Sequence, residues 1–325
     1  MPTTKPPPQT KPATPTLEEL LKSSPKSLEK VISLGIHTVE ALANANVFEL
    51  DKADIDKKDA LRIITKARAC VEVNFISASQ LMEERKENIW YLKTGVPQFD
   101  DMIGGGLESQ SILEVYGEYG SGKSVLGHQL AVQCTEQKGS VLWFDTEGGF
   151  RPEWIINITK PLKLDPKNTL SKILVAKVYN SDHQILLMEK TDGQIKDNDI
   201  KLIVIDSLMA HFRSEYYGRD LLAPRQQRLN YFLNRTMRHA KAFNIPVYLT
   251  NQVLATPDAY GSTWPQSVGG HIIKHASQTR VFLRKAKPPI RIARLDVSPH
   301  MPDGVEIPMK LTSQGFVGVS EKGED

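Results

Sequence analysis

The chain has 325 residues, 40% of them hydrophobic and 24% charged, with a formal net charge of +3. Such a length accommodates one large domain and a small one, and the composition is that of a globular protein rather than a fibrous or disordered one. No apolar run approaches the roughly 18 residues of a membrane span, the N-terminus lacks the apolar core of a signal peptide, and Cys70 and Cys134 alone make neither a disulfide framework nor a metal site. A reducing, intracellular setting without membrane contact is the expectation.

Residues 1–16 hold six of the twenty prolines, a composition that cannot bury a core and predicts a disordered tail. Residues 17–73 predict a small all-helical domain. Leu17–Leu21 and Leu28–Leu34 have helical apolar spacing, Gly35 sits where a helix stops, Thr38 can cap Val39–Ala45, and Asp59–Val73 is a further periodic stretch. Residues 74–91 read as a linker, with Phe75 and Ala78 followed by a charged helix through Lys86. Phe75 and Ala78 either pack on their own domain or dock into a neighbouring subunit; the residues alone leave both open.

The core, 92–325, is organised around Ser111–Gln129. An apolar strand, Ile112–Tyr116, runs into Gly117-Glu118-Tyr119-Gly120-Ser121-Gly122-Lys123-Ser124, and a helical pattern begins at once through Val125. This is G-x-x-x-x-G-K-[ST] in its strand–loop–helix context, which predicts a nucleoside-triphosphate site. Glycines let backbone N–H groups surround phosphate oxygens, and the helix start adds its positive end. Lys123 would reach the terminal phosphates and Ser124 would offer its hydroxyl to Mg²⁺.

Strands are then predicted at Val141–Phe144, Ile173–Val178, Leu202–Asp206, Val247–Leu249, Val281–Leu283 and Ile290–Leu295, the last two as a hairpin across Lys287-Pro288-Pro289. Alternation with helices implies an α/β fold with a mainly parallel sheet, in which ligands sit beyond the carboxyl ends of the strands. Glu147, Asp206 and Gln252 all fall there. Asp206, after four apolar residues, has the form of a Walker B acid that holds the metal or its water. Glu147 is then the candidate to orient and polarise the attacking water, and Gln252 the candidate to sense the terminal phosphate.

Two stretches read as functional loops. Residues 212–227 carry Arg213, Arg219 and Arg225 around Tyr216-Tyr217-Gly218, and residues 253–270 are rich in Pro, Gly, Ser and Thr. From Arg213 to Lys241 there are seven basic and two acidic residues, and from His271 to Arg294 seven basic and no acidic one. Two basic blocks in a nearly neutral chain suggest a polyanion-binding face, with arginine, aromatics and glycine suited to backbone-tracking contact with nucleic acid.

In order along the chain, GEYGSGKS, DTEGGFRPE, NSDHQ, LIVIDS, HFRSEYYGRDLLAPRQQ, TNQV, SVGGHIIKH and RIARL resemble the RecA-type strand-exchange recombinases of the archaeal RadA group and their eukaryotic counterparts, over roughly residues 17–320. The resemblance implies a RecA-type P-loop ATPase core, with a helix-hairpin-helix-like N-terminal domain, that uses ATP and Mg²⁺. It implies a filament on single-stranded DNA that pairs with a homologous duplex and exchanges strands in recombination and repair, as a homo-oligomer (helical, or a ring) assisted by mediators. The setting is cytoplasmic or nucleoid in an archaeon, nuclear in a eukaryote.

Carried over by position, Lys123 and Glu147 are catalytic, Ser124 and Asp206 hold the metal, and Gln252 and His271 couple ATP to the second DNA loop. Arg213, Tyr216, Arg219 and Arg225 belong to the first DNA loop, and Val268, Gly269 and Gly270 to the second. Phe75 and Ala78 match the segment that docks on the adjacent subunit, which favours oligomerisation for the linker. Several positions depart from the pattern. Lys22 and Ser24 replace hairpin glycines, Trp154 replaces an arginine that packs on adenine, and Thr256 replaces a second-loop arginine. Near Pro299, where the family caps the neighbour's ATP, Val297 stands at the acid's place, with Asp296 one residue early and Asp303 beyond. These departures keep a second reading open, a recombinase paralogue acting as mediator; a third is a ring-forming helicase or ATPase on the same core.

Overall fold

The computed structural model describes residues 15–51, 53–71, 75–218, 220–253, 265 and 267–319; the expected disorder of residues 1–14 lies outside them, as do Arg219 and Thr256. The chain divides into two compact units, Met1–Ser77 and Ala78–Asp325.

The first unit is helical: α1 (Leu17–Leu20), α2 (Pro25–Ser33), α3 (Val39–Ala43), α4 (Val47–Asp51) and α5 (Lys57–Cys70). Caps set the boundaries. Thr16 and Glu19 form a reciprocal capping box, Thr38 accepts from Ala41 N, and Asp56 accepts from Lys58 N. Val31, Ile36, Leu42, Leu50, Ala60 and Ile64 form the core of this unit. α4 was not anticipated, although Asn46 Oδ1 accepts from Glu49 N at its start.

The second unit opens with α6 (Ala78–Asn88), β1 (Tyr91–Leu92), α7 (Pro97–Met102), β2 (Leu107–Glu108), β3 (Ile112–Gly117) and α8 (Lys123–Gln137). β4 (Ser140–Asp145), α9 (Pro152–Leu162), α10 (Pro166–Ser171), β5 (Ile173–Lys177), α11 (Ser181–Glu189) and α12 (Thr191–Asn198) follow. Next come β6 (Ile200–Asp206), α13 (Ala210–Glu215), α14 (Leu222–Ala242), β7 (Val247–Gln252) and α15 (His271–Ala276). The unit ends with β8 (Thr279–Lys285), β9 (Ile290–Val297), β10 (Glu306–Thr312) and β11 (Gly315–Gly318).

Among the described residues nine strands form one sheet, in the order β11-β10-β9-β8-β3-β7-β6-β4-β5. From β8 to β5 neighbours are parallel; β9, β10 and β11 add antiparallel pairs. The two-residue period of the strands sorts side chains into two cores. Leu113, Val115, Trp143, Val204 and Tyr248 pack with α8 on one face, while Ile112, Leu142, Phe144, Ile203 and Leu249 pack with Phe212 and Phe232 on the other. With both faces covered, the central strands read as continuous apolar runs. β3 and β6, on either side of β7, therefore bring their carboxyl ends, and the loops that follow, to one edge of the sheet.

Two expectations need correction. Residues 212–227 are not one loop: α13 reaches Glu215 and α14 starts at Leu222, because Pro224 falls in the first turn, where a missing N–H costs nothing. β10 and β11 were also unforeseen. Pro308 inside β10 argues against a strand by rule, yet it pairs across from Ile292 on β9.

Candidate functional site

The phosphate loop is shaped by what a side chain would strike. Gly122, the residue before α8, has φ +107°, and a Cβ there would lie 2.6 Å from Phe316 Cζ. At Gly117 it would lie 2.0 Å from the Leu283 carbonyl oxygen. Both positions require glycine, the first for conformation as well as space. Tyr248 on β7 donates to Lys123 O at 2.8 Å and so ties the first turn of α8 to the sheet.

Lys123 lies under this loop and donates from Nζ to Gly117 O (2.9 Å) and Glu118 O (2.8 Å). Burial pushes its pKa down, against the pull of the Asp206 and Glu147 carboxylates, and nearby Lys285 pushes the same way as burial. Ser121 Oγ is buried and has no hydrogen-bond partner among the described residues. Buried hydroxyls are almost always paired, so an unpaired one among loop amides and a buried ammonium fits an oxygen-rich anion. A polyphosphate matches this donor set.

Asp206 ends β6. Its Oδ1 accepts from Thr250 Oγ1 at 2.5 Å, and the Ser124 hydroxyl is hydrogen-bonded to the same carboxylate. Burial raises the Asp206 pKa and Glu147 and Asp145 add to it, while those two hydroxyls oppose. A bound divalent cation would reverse this logic and hold the carboxylate ionised. Ser124 and Asp206 offer the hard oxygen ligands that suit Mg²⁺.

Glu147 follows β4. Its Oε1 accepts from Ser207 Oγ (2.6 Å) and from Gln252 Nε2 (3.1 Å). Gln252 stands opposite Gly117 in the β3–β7 register, so the residue that bonds the carboxylate sits beside the end of the phosphate-loop strand. Four supporting residues were not singled out in the sequence. Asp145 accepts from Gly149 N (2.8 Å) and Phe150 N (3.3 Å), holding the turn after Glu147. His128 Nδ1 donates to Ser124 O (2.6 Å) and Nε2 accepts from Arg151 N (3.1 Å). Burial lowers the His128 pKa to about 4, which keeps the ring neutral in the tautomer those bonds need. Ser207 and Thr146 exchange two 2.8 Å bonds between β6 and β4. Only Asp145 had left a visible signal, as an acid at a strand end.

A cavity of ≈ 420 Å³ joins Glu147 and Gln252 to Arg213, Tyr217 and Val268. Arg213 is exposed on α13 and Arg225 is half-buried in α14. Tyr216 lies 6.0 Å beneath Arg228. Val268 N donates to Gln252 O at 2.9 Å, so the return from residues 254–266 lies against the end of β7. Gly269 has φ +104°, Gly270 has φ +64° with open space around it, and His271 begins α15, exposed. Trp154 is half-buried at the start of α9, packed on the α8-side core.

Pro299 is not brought to the phosphate loop. It lines a cavity with Ser111, Gln278 and Thr279, at the amino ends of β3 and β8, so any contact with nucleotide needs a second copy. Asp296, beside it in sequence, points to Arg280. Phe75 is fully exposed and Ala78 begins α6, a helix with no buried residue. Among the described residues no helix is long and apolar enough to cross a membrane.

The family model for Rad51 matches residues 84–319, a span that contains every residue of this site except Phe75 and Ala78. The chain belongs to the Rad51 family. It is a RecA-like recombinase in the general sense, on an α/β core, and proteins of this family bind ATP with Mg²⁺, bind DNA and oligomerise.

Proposed function

From that membership we propose that the chain is a DNA-dependent ATPase that forms filaments on single-stranded DNA, pairs them with a homologous duplex and exchanges strands. The observation that carries this reading is the Gln252 amide, bonded to Glu147 on one side and followed directly by the second loop on the other. One residue thereby touches both the hydrolytic carboxylate and the segment proposed to meet DNA.

In this reading the loop amides and Lys123 hold the phosphates, and Ser124 and Asp206 hold the metal. MgATP, when bound, supplies the phosphoryl group and the charge that neutralises it. Glu147 accepts the hydrogen bond of the attacking water, held in place by Ser207 and Gln252; such catalysis is positioning and electrostatics with little covalent chemistry. Arg213, Arg219, Arg225 and the backbone at Val268–His271 track phosphates without reading bases. Phe75 and Ala78 dock on the next copy, and Pro299 reaches that copy's nucleotide. The enzyme works on DNA inside the cell, assisted by mediators.

A mediator role is the second reading, favoured by Asp296: its carboxylate is engaged by Arg280 and Val297 occupies the cap position. Strand exchange between a single strand and a homologous duplex, with ATP and Mg²⁺ and with Lys123→Ala as control, tests the choice. ATP-dependent exchange that Lys123→Ala abolishes supports the recombinase. DNA binding and turnover without exchange supports the mediator.

A further inference from the structure

Strands β8, β3 and β9 and the segment at Ser267 meet around one buried guanidinium. Arg280 on β8 is 2% exposed, and each of its three nitrogens is committed: Nε to Glu114 Oε2 (2.6 Å), Nη1 to Asp296 Oδ2 (2.8 Å) and Nη2 to Ser267 Oγ (2.8 Å). The Tyr116 ring lies 5.0 Å from its Cζ. Burial works against the charge, but Glu114 and Asp296 outweigh it and hold the Arg280 pKa up.

The bonds continue on the far side of Glu114. Its Oε1 accepts from Asn251 Nδ2 (2.9 Å), which also donates to Val268 O (2.7 Å), and Asn251 Oδ1 accepts from Gln252 N (2.8 Å). A single connected set therefore holds Ser267 and Val268, where the second loop returns; Gln252, which touches Glu147; and Asp296, three residues before Pro299. A fully satisfied network in a low-dielectric interior is rigid, and its members shift together or not at all.

We propose that Arg280 is a positioning residue that locks the return of the second DNA loop and the cap strand to the Gln252 end of β7, so that DNA contact at the loop is transmitted to both. Asp296 is then the anchor of the cap strand, not a displaced cap acid. This rests on the DNA-dependent ATPase reading above.

Two of the three tethers can be cut without exposing a buried charge. Glu114 alone neutralises Arg280, so Asp296→Asn and Ser267→Ala keep the ion pair and the fold. The measurement, on the full chain, is ATP turnover without DNA and with oligo-dT, alongside melting temperature. Expected for each variant is basal turnover within about twofold of the parent and a stimulation ratio reduced at least fivefold. Ser267→Thr, which retains the hydroxyl, restores the ratio, and the double variant is no worse than the poorer single one because both cut the same linkage. Parent-like stimulation in both single variants, failure of Ser267→Thr to rescue, or losses that multiply in the double variant would overturn the proposal. A parent protein that binds DNA yet shows no stimulation would overturn the ATPase reading, and the inference with it.

Discussion

Replacing Glu147 by Gln changes one oxygen to an amide nitrogen and removes one charge. If the amide oxygen keeps the place of Oε1, it still accepts from Ser207 Oγ and Gln252 Nε2, so the side chain stays where it is. Two charge-assisted bonds become neutral ones, at about 1 kcal/mol each, which the local structure tolerates. The water loses its acceptor. General-base assistance contributes about 10²–10⁴-fold, or about 3–5 kcal/mol of barrier. Lys123, Ser124 and Asp206 are untouched, so nucleotide affinity stays within about threefold. The assay is a pair: equilibrium binding of a fluorescent ATP analogue, and single-turnover hydrolysis with DNA. Hydrolysis slowed less than about fivefold, or affinity lost more than tenfold, would refute the assignment and make Glu147 a structural residue.

Gly122→Ala meets a positive φ and the ring of Phe316, itself buried and unable to yield; about 2–4 kcal/mol of destabilisation follows, read as a lower denaturation midpoint together with lost ATP binding. His128 has a folded pKa of about 4 against an ordinary 6.5, so the unfolded chain binds more protons in between and stability falls as pH drops from about 6.5 to 4. The loss is on the order of 3 kcal/mol; His128→Gln should flatten that part of the curve of melting temperature against pH, and an unchanged slope would assign the acid sensitivity elsewhere. Phe75→Glu places a charge in the apolar contact proposed between copies and should shorten assemblies on DNA in electron micrographs; normal lengths would return this residue to a mere linker.

The candidate site was readable because strand, glycine spacing and helix obey local rules, and Lys123, Ser124, Glu147, Asp206 and Gln252 do lie together. What escaped notice is polar and buried. β7 was expected to end at Leu249, but Thr250 and Asn251 continue it at zero exposure, because Asp206 and Glu114 satisfy their side chains. β8 starts at Thr279 rather than Val281 for the same reason: Arg280 looks like a surface residue until Glu114 is placed beside it. Hydropathy marks where water is excluded and carries no record of which polar groups find each other. The Asp296 shift was visible in the sequence as a departure; its partner was not.

Among the described residues β5 has a neighbour on one flank only, and Val175 at its middle is partly exposed. An unpaired flank of this kind accepts another strand. If the linker of a second copy pairs there, the newcomer brings its own unpaired β5, and the contact is head-to-tail, closing into a ring or running on as a helix according to the rotation between copies. In the open case copy number is set by mass action and by the length of the template, and the melting temperature becomes a function of protein concentration.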